Sequence, residues 1–183
     1  MLWQLEDLML LRRFAVVLAA VAAGLLGPSG ESLAKETSRT IFGFVERVII
    51  SEEGFSVKAK LDTGAETSSL DARNIKRFKR DGTSMVRFEV LDPDSEEFVT
   101  LERPLSRTVR IRQHIGPEDR RPVVKMLLCV GHIAETVDVN LIDRGHFVYP
   151  LLIGRSAMRG RIIVDPALTF TSRPLCTKEE LAE

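Results

Sequence analysis

The chain has 183 residues, 44% hydrophobic and 28% charged, which suits one globular domain. Its 26 basic and 26 acidic residues cancel, so overall charge makes no case for nucleic acid or an acidic membrane surface as partner. Aromatic residues make up only 6%, which argues against a base-stacking surface.

The N-terminal segment reads as a leader. Arg12-Arg13 precedes Phe14–Leu26, an apolar run of 13 residues, and Ser32-Leu33-Ala34 follows as a small-x-small cleavage site. The run is short for a membrane span, which needs about 20 apolar residues. The expectation is a cleaved signal peptide at 1–34. The remaining domain, 35–183, would be periplasmic or otherwise exported, with no stable membrane anchor after cleavage. An uncleaved anchor is the alternative.

The mature part reads as short strands separated by turn signals. Ile41–Ile50 is a strand, Ser51-Glu52-Glu53-Gly54 a turn, and Phe55–Leu61 the return strand. Ser68–Arg73 reads as a short turn and Lys76–Arg80 as a solvated basic loop. Met85–Leu91 alternates as a strand, Asp92–Ser95 turns, and Phe98–Leu101 returns. Val109–Arg112 begins a separate strand, and Gln113–Arg121 reads as an exposed loop or hairpin tip. Val123–Val130, the Gly131-His132 turn and Ile133–Ile142 form a hairpin. Tyr149–Ile153 is a buried strand, Gly154–Met158 starts a short helix, and Ile162–Val164 is a last strand closed by Asp165-Pro166. Helical periodicity is almost absent, so the pattern predicts an all-β sandwich or barrel. The two cysteines, Cys129 and Cys176, fit no metal-ligand spacing. They leave open a disulfide or a buried free thiol at Cys129.

Val57–Leu70 carries the most chemistry. Val57, Ala59 and Leu61 alternate with Lys58 and Lys60, and the strand then breaks at Asp62-Thr63-Gly64. Gly64 permits a sharp turn and close approach by another chain or a substrate. N–H groups beyond the turn can point back at the Asp62 oxygens. The same tripeptide is also ordinary turn chemistry, in which glycine takes a positive φ. It should occur by chance in about a few per cent of chains this long, so a second element has to decide.

That element is Tyr149–Met158, an apolar strand running into Ile153-Gly154-Arg155 and a helical start. With Leu61-Asp62-Thr63-Gly64-Ala65 upstream, the chain resembles the retropepsin-like aspartic proteases. More narrowly it is similar to the bacterial group labelled ATP-dependent zinc proteases. The resemblance rests on Lys58–Leu70, Asp143-Arg144, Tyr149–Arg155 and Val164-Asp165-Pro166, within a core of about 41–166. The zinc and ATP labels find no support in the residues. H-E-x-x-H and a glycine-rich phosphate loop are both lacking, and His114, His132 and His146 have no ligand spacing. No metal and no cofactor are expected.

The resemblance implies an all-β, retropepsin-like closed barrel with one short helix after Ile153-Gly154. It implies hydrolysis of a peptide or protein substrate by a water activated between two carboxylates that share a proton. The chain has a single Asp-Thr-Gly. The resemblance therefore implies a homodimer in which each subunit contributes Asp62. Thr63 would lock the two loops across the axis, and Gly64 would permit their approach. Ala65, Ile153 and Gly154 would form the floor, and Arg155 would tie the helix to neighbouring loops. The candidate flap is Gln113–Arg121, with Ser95–Phe98 second. Arginines 103, 107, 110, 112, 120 and 121 gather near the first candidate, which would suit an acidic peptide. The alternative is a non-catalytic accessory or binding protein of the cell envelope that keeps the fold.

Overall fold

The computed structural model describes residues 38–50, 54–111, 118–143, 145 and 147–176. The leader expected at 1–34, residues 51–53 of the first turn, Arg112, residues 113–117 of the first flap candidate with His114, Arg144 and His146 lie outside the described residues. Among the described residues ten strands and one helical turn follow in chain order: β1 (Thr40–Ile50), β2 (Phe55–Asp62), β3 (Ser68–Asp71), β4 (Arg73–Arg80), β5 (Thr83–Leu91), β6 (Phe98–Ile111), β7 (Asp119–Val130), β8 (Ile133–Ile142), β9 (Leu151–Gly154), α1 (Arg155–Met158) and β10 (Ile162–Thr169).

Six strands close a barrel in the order β1-β2-β9-β3-β8-β7, because β1 also pairs with β7 through Val48↔Val130 and Ile50↔Leu128. Closure removes the exposed edges of a sheet. Val48, Val57, Leu70, Val124, Leu141 and Leu151 fill the interior and are wholly or almost wholly buried. On β2 the alternation works as the sequence suggests: Val57, Ala59 and Leu61 face inward, and Lys58 and Lys60 face outward. Outside the barrel, β6, β5 and β4 extend from β7 as a charged antiparallel arm.

Four local expectations need correction. Ser68–Asp71 is a strand, held between β9 and β8; Ser68 and Ser69 are buried there, so hydropathy hides the element. Lys76–Arg80 is part of β4 rather than a loop. Arg80 of β4 and Arg87 of β5 lie against Phe78, their guanidinium carbons 5.3 and 5.5 Å from the ring centre. Phe98–Leu101 and Val109–Ile111 belong to one strand, β6. It pairs with β5 up to Pro104 and with β7 from Leu105, with a bulge between Leu105 and Arg107. The last strand does not stop at Asp165-Pro166. It continues to Thr169, with a register shift opposite Gly43–Val45.

A C-terminal strap follows β10. Phe170 N–H donates to Val45 O at 2.8 Å, and Cys176 forms a disulfide with Cys129 across a Cα–Cα distance of 6.2 Å. This resolves the question left open for the cysteines. Glu46 of β1 is wholly buried beneath the strap. Its Oε1 accepts from Gly43 N–H (2.8 Å), Thr171 N–H (3.0 Å) and the Thr171 hydroxyl (2.6 Å); Oε2 accepts from Ser172 N–H (3.4 Å). A carboxylate tolerates such burial because the donors replace water.

Candidate active site

β2 carries Asp62 to its C-terminal end, where β9 runs parallel beside it with Leu61 opposite Ile153 and Asp62 opposite Gly154. The chain then turns. Ala65 N–H donates to Asp62 O at 3.2 Å, and Gly64 N–H donates to Asp62 Oδ1 at 3.0 Å. The expected backbone hold on the carboxylate is therefore present. Gly64 does not sit at positive φ, contrary to the simple turn reading. A Cβ there would stand 3.2 Å from Asp62 Oδ1, so the close approach is what favours glycine.

The loop is docked onto the start of α1. Arg155 N–H donates to Ala65 O (2.9 Å) and Ser156 N–H to Glu66 O (3.2 Å), satisfying two N–H groups of the first helical turn. The Arg155 guanidinium donates to Gly64 O at 3.1 Å and pairs with the Glu66 carboxylate. Gly154 lies so close to the loop that a Cβ would meet Thr67 C at 2.6 Å and Glu66 O at 2.8 Å. Below it, Gly154 N–H donates to the buried Ser68 hydroxyl at 3.2 Å. Asp62, Thr63, Gly64, Ala65, Ile153, Gly154 and Arg155 thus meet at one strand–loop–helix junction. Ile153 is buried, Ala65 is half-buried, and Thr63 and Gly64 are exposed at the tip.

The sequence did not place three further residues at this junction. Lys60 Nζ lies 3.3 Å from Asp62 Oδ2; its place two residues upstream on the same strand face was the available signal. Asn140 of β8 donates to Ser68 O at 2.6 Å and to the Thr67 hydroxyl at 3.4 Å. Arg121 of β7 donates to Asn140 Oδ1 at 3.3 Å, which roots the β6–β7 hairpin in the loop that follows Asp62. Nothing local in the sequence links Asn140 or Arg121 to Thr67.

Burial pushes the Asp62 carboxyl up. The Gly64 N–H, the Lys60 ammonium and the Ala65 N–H together outweigh it and hold the group below its ordinary value. Asp62 opens onto a cavity of about 480 Å³ shared with Phe44, Lys60, Leu61, Thr63, Val164 and Pro166, and among the described residues no other carboxylate lines it. A larger cavity, about 690 Å³, lies on the charged arm. Its walls are internally paired through Asn74–Glu89 and Arg87–Glu102, so the chemistry of Asp62 is the better guide to the site. Among the described residues no group of three or more His, Cys, Asp or Glu is gathered as a metal site requires. The second flap candidate, Ser95–Phe98, falls in a turn capped by Asp92, which accepts from Asp94 N–H and the Ser95 hydroxyl. That turn borders a different cavity, with Arg47, Lys58 and Asp71.

A closed barrel of short strands that presents one Asp-Thr-Gly loop against an Ile-Gly-Arg strand–helix junction defines a retropepsin-like domain. A family model described as "RimB-like: Retropepsin-like aspartic endopeptidase RimB" matches residues 41–174. The chain belongs to the RimB-like family. The match runs beyond the expected core end at 166 and takes in most of the strap. Two curated relatives are each named "Probable alpha-L-glutamate ligase". The protein from Desulfotalea psychrophila is 34% identical over 74% of this chain and 30% of its own length. The protein from Parasynechococcus marenigrum is 36% identical over 61% of this chain and 24% of its own length. The chain therefore spans less than a third of these curated relatives. The crystal structure of Lpg0085, a Legionella pneumophila protein of unknown function, is 36% identical with a TM-score of 0.66; the match covers 74% of this chain and all of that one.

Proposed function

We propose that this chain is an exported aspartic peptidase whose working site forms where the Asp62-Thr63-Gly64 loops of two copies meet. The observation that carries the reading is the placement of Asp62. It is a partly exposed carboxylate at a strand end, seated by the Gly64 N–H, and among the described residues alone of its kind in its cavity. Aspartic chemistry needs two carboxylates sharing a proton, so a second copy is the simplest source of the other. The ionised member takes a proton from a water held between them. The protonated member donates to the substrate carbonyl or to the leaving nitrogen. Thr63 is exposed at the tip and is available to bond across the two-fold axis. Half-exposed Ile163, with Val164 and Pro166, lines the cavities on either side of Thr63 and supplies apolar contact area.

Two further features support the finer parts of the proposal. The Cys129–Cys176 disulfide suits an oxidising compartment and agrees with a leader at 1–34. On the β6–β7 hairpin Arg110 stands directly opposite Arg120. Like charges in that position repel, and an acidic peptide would relieve them.

The test is hydrolysis of a peptide library, enriched in acidic sequences, from acid to neutral pH. Wild type should cleave, and Asp62→Asn should lose at least about a thousandfold in kcat/KM. Activity that survives Asp62→Asn and disappears with chelator would overturn the aspartic mechanism. Binding without cleavage by wild type would indicate a non-catalytic accessory protein.

A further inference from the structure

Lys60 and Asp62 lie two residues apart on β2, so their side chains leave the same face of the strand. The Lys60 ammonium is 3.3 Å from Asp62 Oδ2, while Oδ1 is occupied by the Gly64 N–H. The two oxygens of one carboxylate are thus held by two different donors. Lys60 is 43% exposed and Asp62 25%, and both line the same open cavity. An exposed pair of this kind contributes little to stability, so its presence here calls for another consequence.

The other charged groups around the loop are placed differently. On α1, Arg155 is engaged by Gly64 O and by Glu66, and Glu66 by Arg155. Arg39 and Arg159 line the neighbouring cavity on the far side of Thr63. On β9, the strand packed directly beside Asp62, the facing residue is Gly154, which has no side chain. From β10, Val164 and Pro166 are the residues that reach the Asp62 cavity.

We propose that Lys60 is a positioning residue of the Asp62 site, a built-in counter-ion that holds Oδ2 in place and sets the pH range over which the site works. The inference rests on the peptidase reading for its functional consequence. A cation beside a carboxylate favours the ionised form. In a pair of carboxylates that must carry one proton between them, a cation beside each lowers both pH limits of the working state. Removing the cations moves both limits upward.

The experiment compares wild type, Lys60→Met and Lys60→Arg. The pH dependence of kcat/KM on an acidic peptide is read alongside the NMR titration of the labelled Asp62 carboxyl carbon. Lys60→Met should shift both limbs of the profile and the Asp62 midpoint upward by on the order of half a pH unit to one unit. Lys60→Arg should restore the wild-type values. An Asp62 midpoint and a pH profile that are both unmoved in a folded Lys60→Met protein would overturn the proposal. The carboxyl titration reads Lys60 even if no peptide is cleaved, so loss of the peptidase reading and loss of the Lys60 role are seen separately.

Discussion

Gly154 stands beside Asp62 on the parallel strands β2 and β9, and the backbone of Glu66 and Thr67 crosses directly over it. The position of the Asp62 loop is therefore set by the absence of a side chain at residue 154. Gly154→Ala would place a methyl group 2.6 Å from Thr67 C, against backbone that has little room to give. The expected cost is about 1–3 kcal/mol in urea denaturation. The displaced loop should also lower peptide hydrolysis. An unchanged midpoint would show that the loop yields more easily than this packing suggests.

The strap makes a second prediction. Cys176 ties the end of the described chain to β7 over a sequence separation of 47 residues. Cys176→Ser should lower unfolding free energy by about 2–4 kcal/mol relative to the oxidised wild type. Limited proteolysis should then cut between β10 and residue 176 first. Equal stability of the two proteins would mean that the buried Glu46 and its donors hold the strap without the disulfide.

Acid should act on the arm through Glu102. Hydrogen bonds from Arg87 and then Arg80 hold its carboxyl below the ordinary glutamate value in the folded state. A depressed folded value stabilises above the unfolded value, and that stability is lost as pH falls through the folded value. The difference in urea midpoint between wild type and Glu102→Gln should be present near neutral pH and close on acidification. A difference that is constant with pH would assign the effect to packing. Both arginine partners are more than half exposed, so the effect should be small.

Much of the fold was legible because alternation and turn residues carry it. β8 has the bounds read from the sequence, Ile133–Ile142, and the Asp62 loop and the Ile153-Gly154-Arg155 junction lie together as the two motifs suggested. The misses share a physical cause. Ser68 and Ser69 are buried in β3 because Asn140, Gly154 and the flanking strands satisfy their polar groups. Glu46 is buried because residues 125 and 126 positions away supply donors. Lys76–Arg80 forms a strand because it pairs with β5 and Glu102 of β6 takes the charge of Arg80. Each of these depends on a partner distant in the chain, and hydropathy read along the sequence cannot register it.

Subunit mixing tests most directly whether Asp62 acts with a second Asp62. Wild type and Asp62→Asn are unfolded together at equal concentration, refolded, and assayed for peptide hydrolysis at fixed total protein. If each site needs one Asp62 from each of two chains, only the wild-type pairs are active, and activity should fall to about a quarter of the all-wild-type value. A fall to about half, linear in the wild-type fraction across other mixing ratios, would show that each chain works alone and would contradict the shared site.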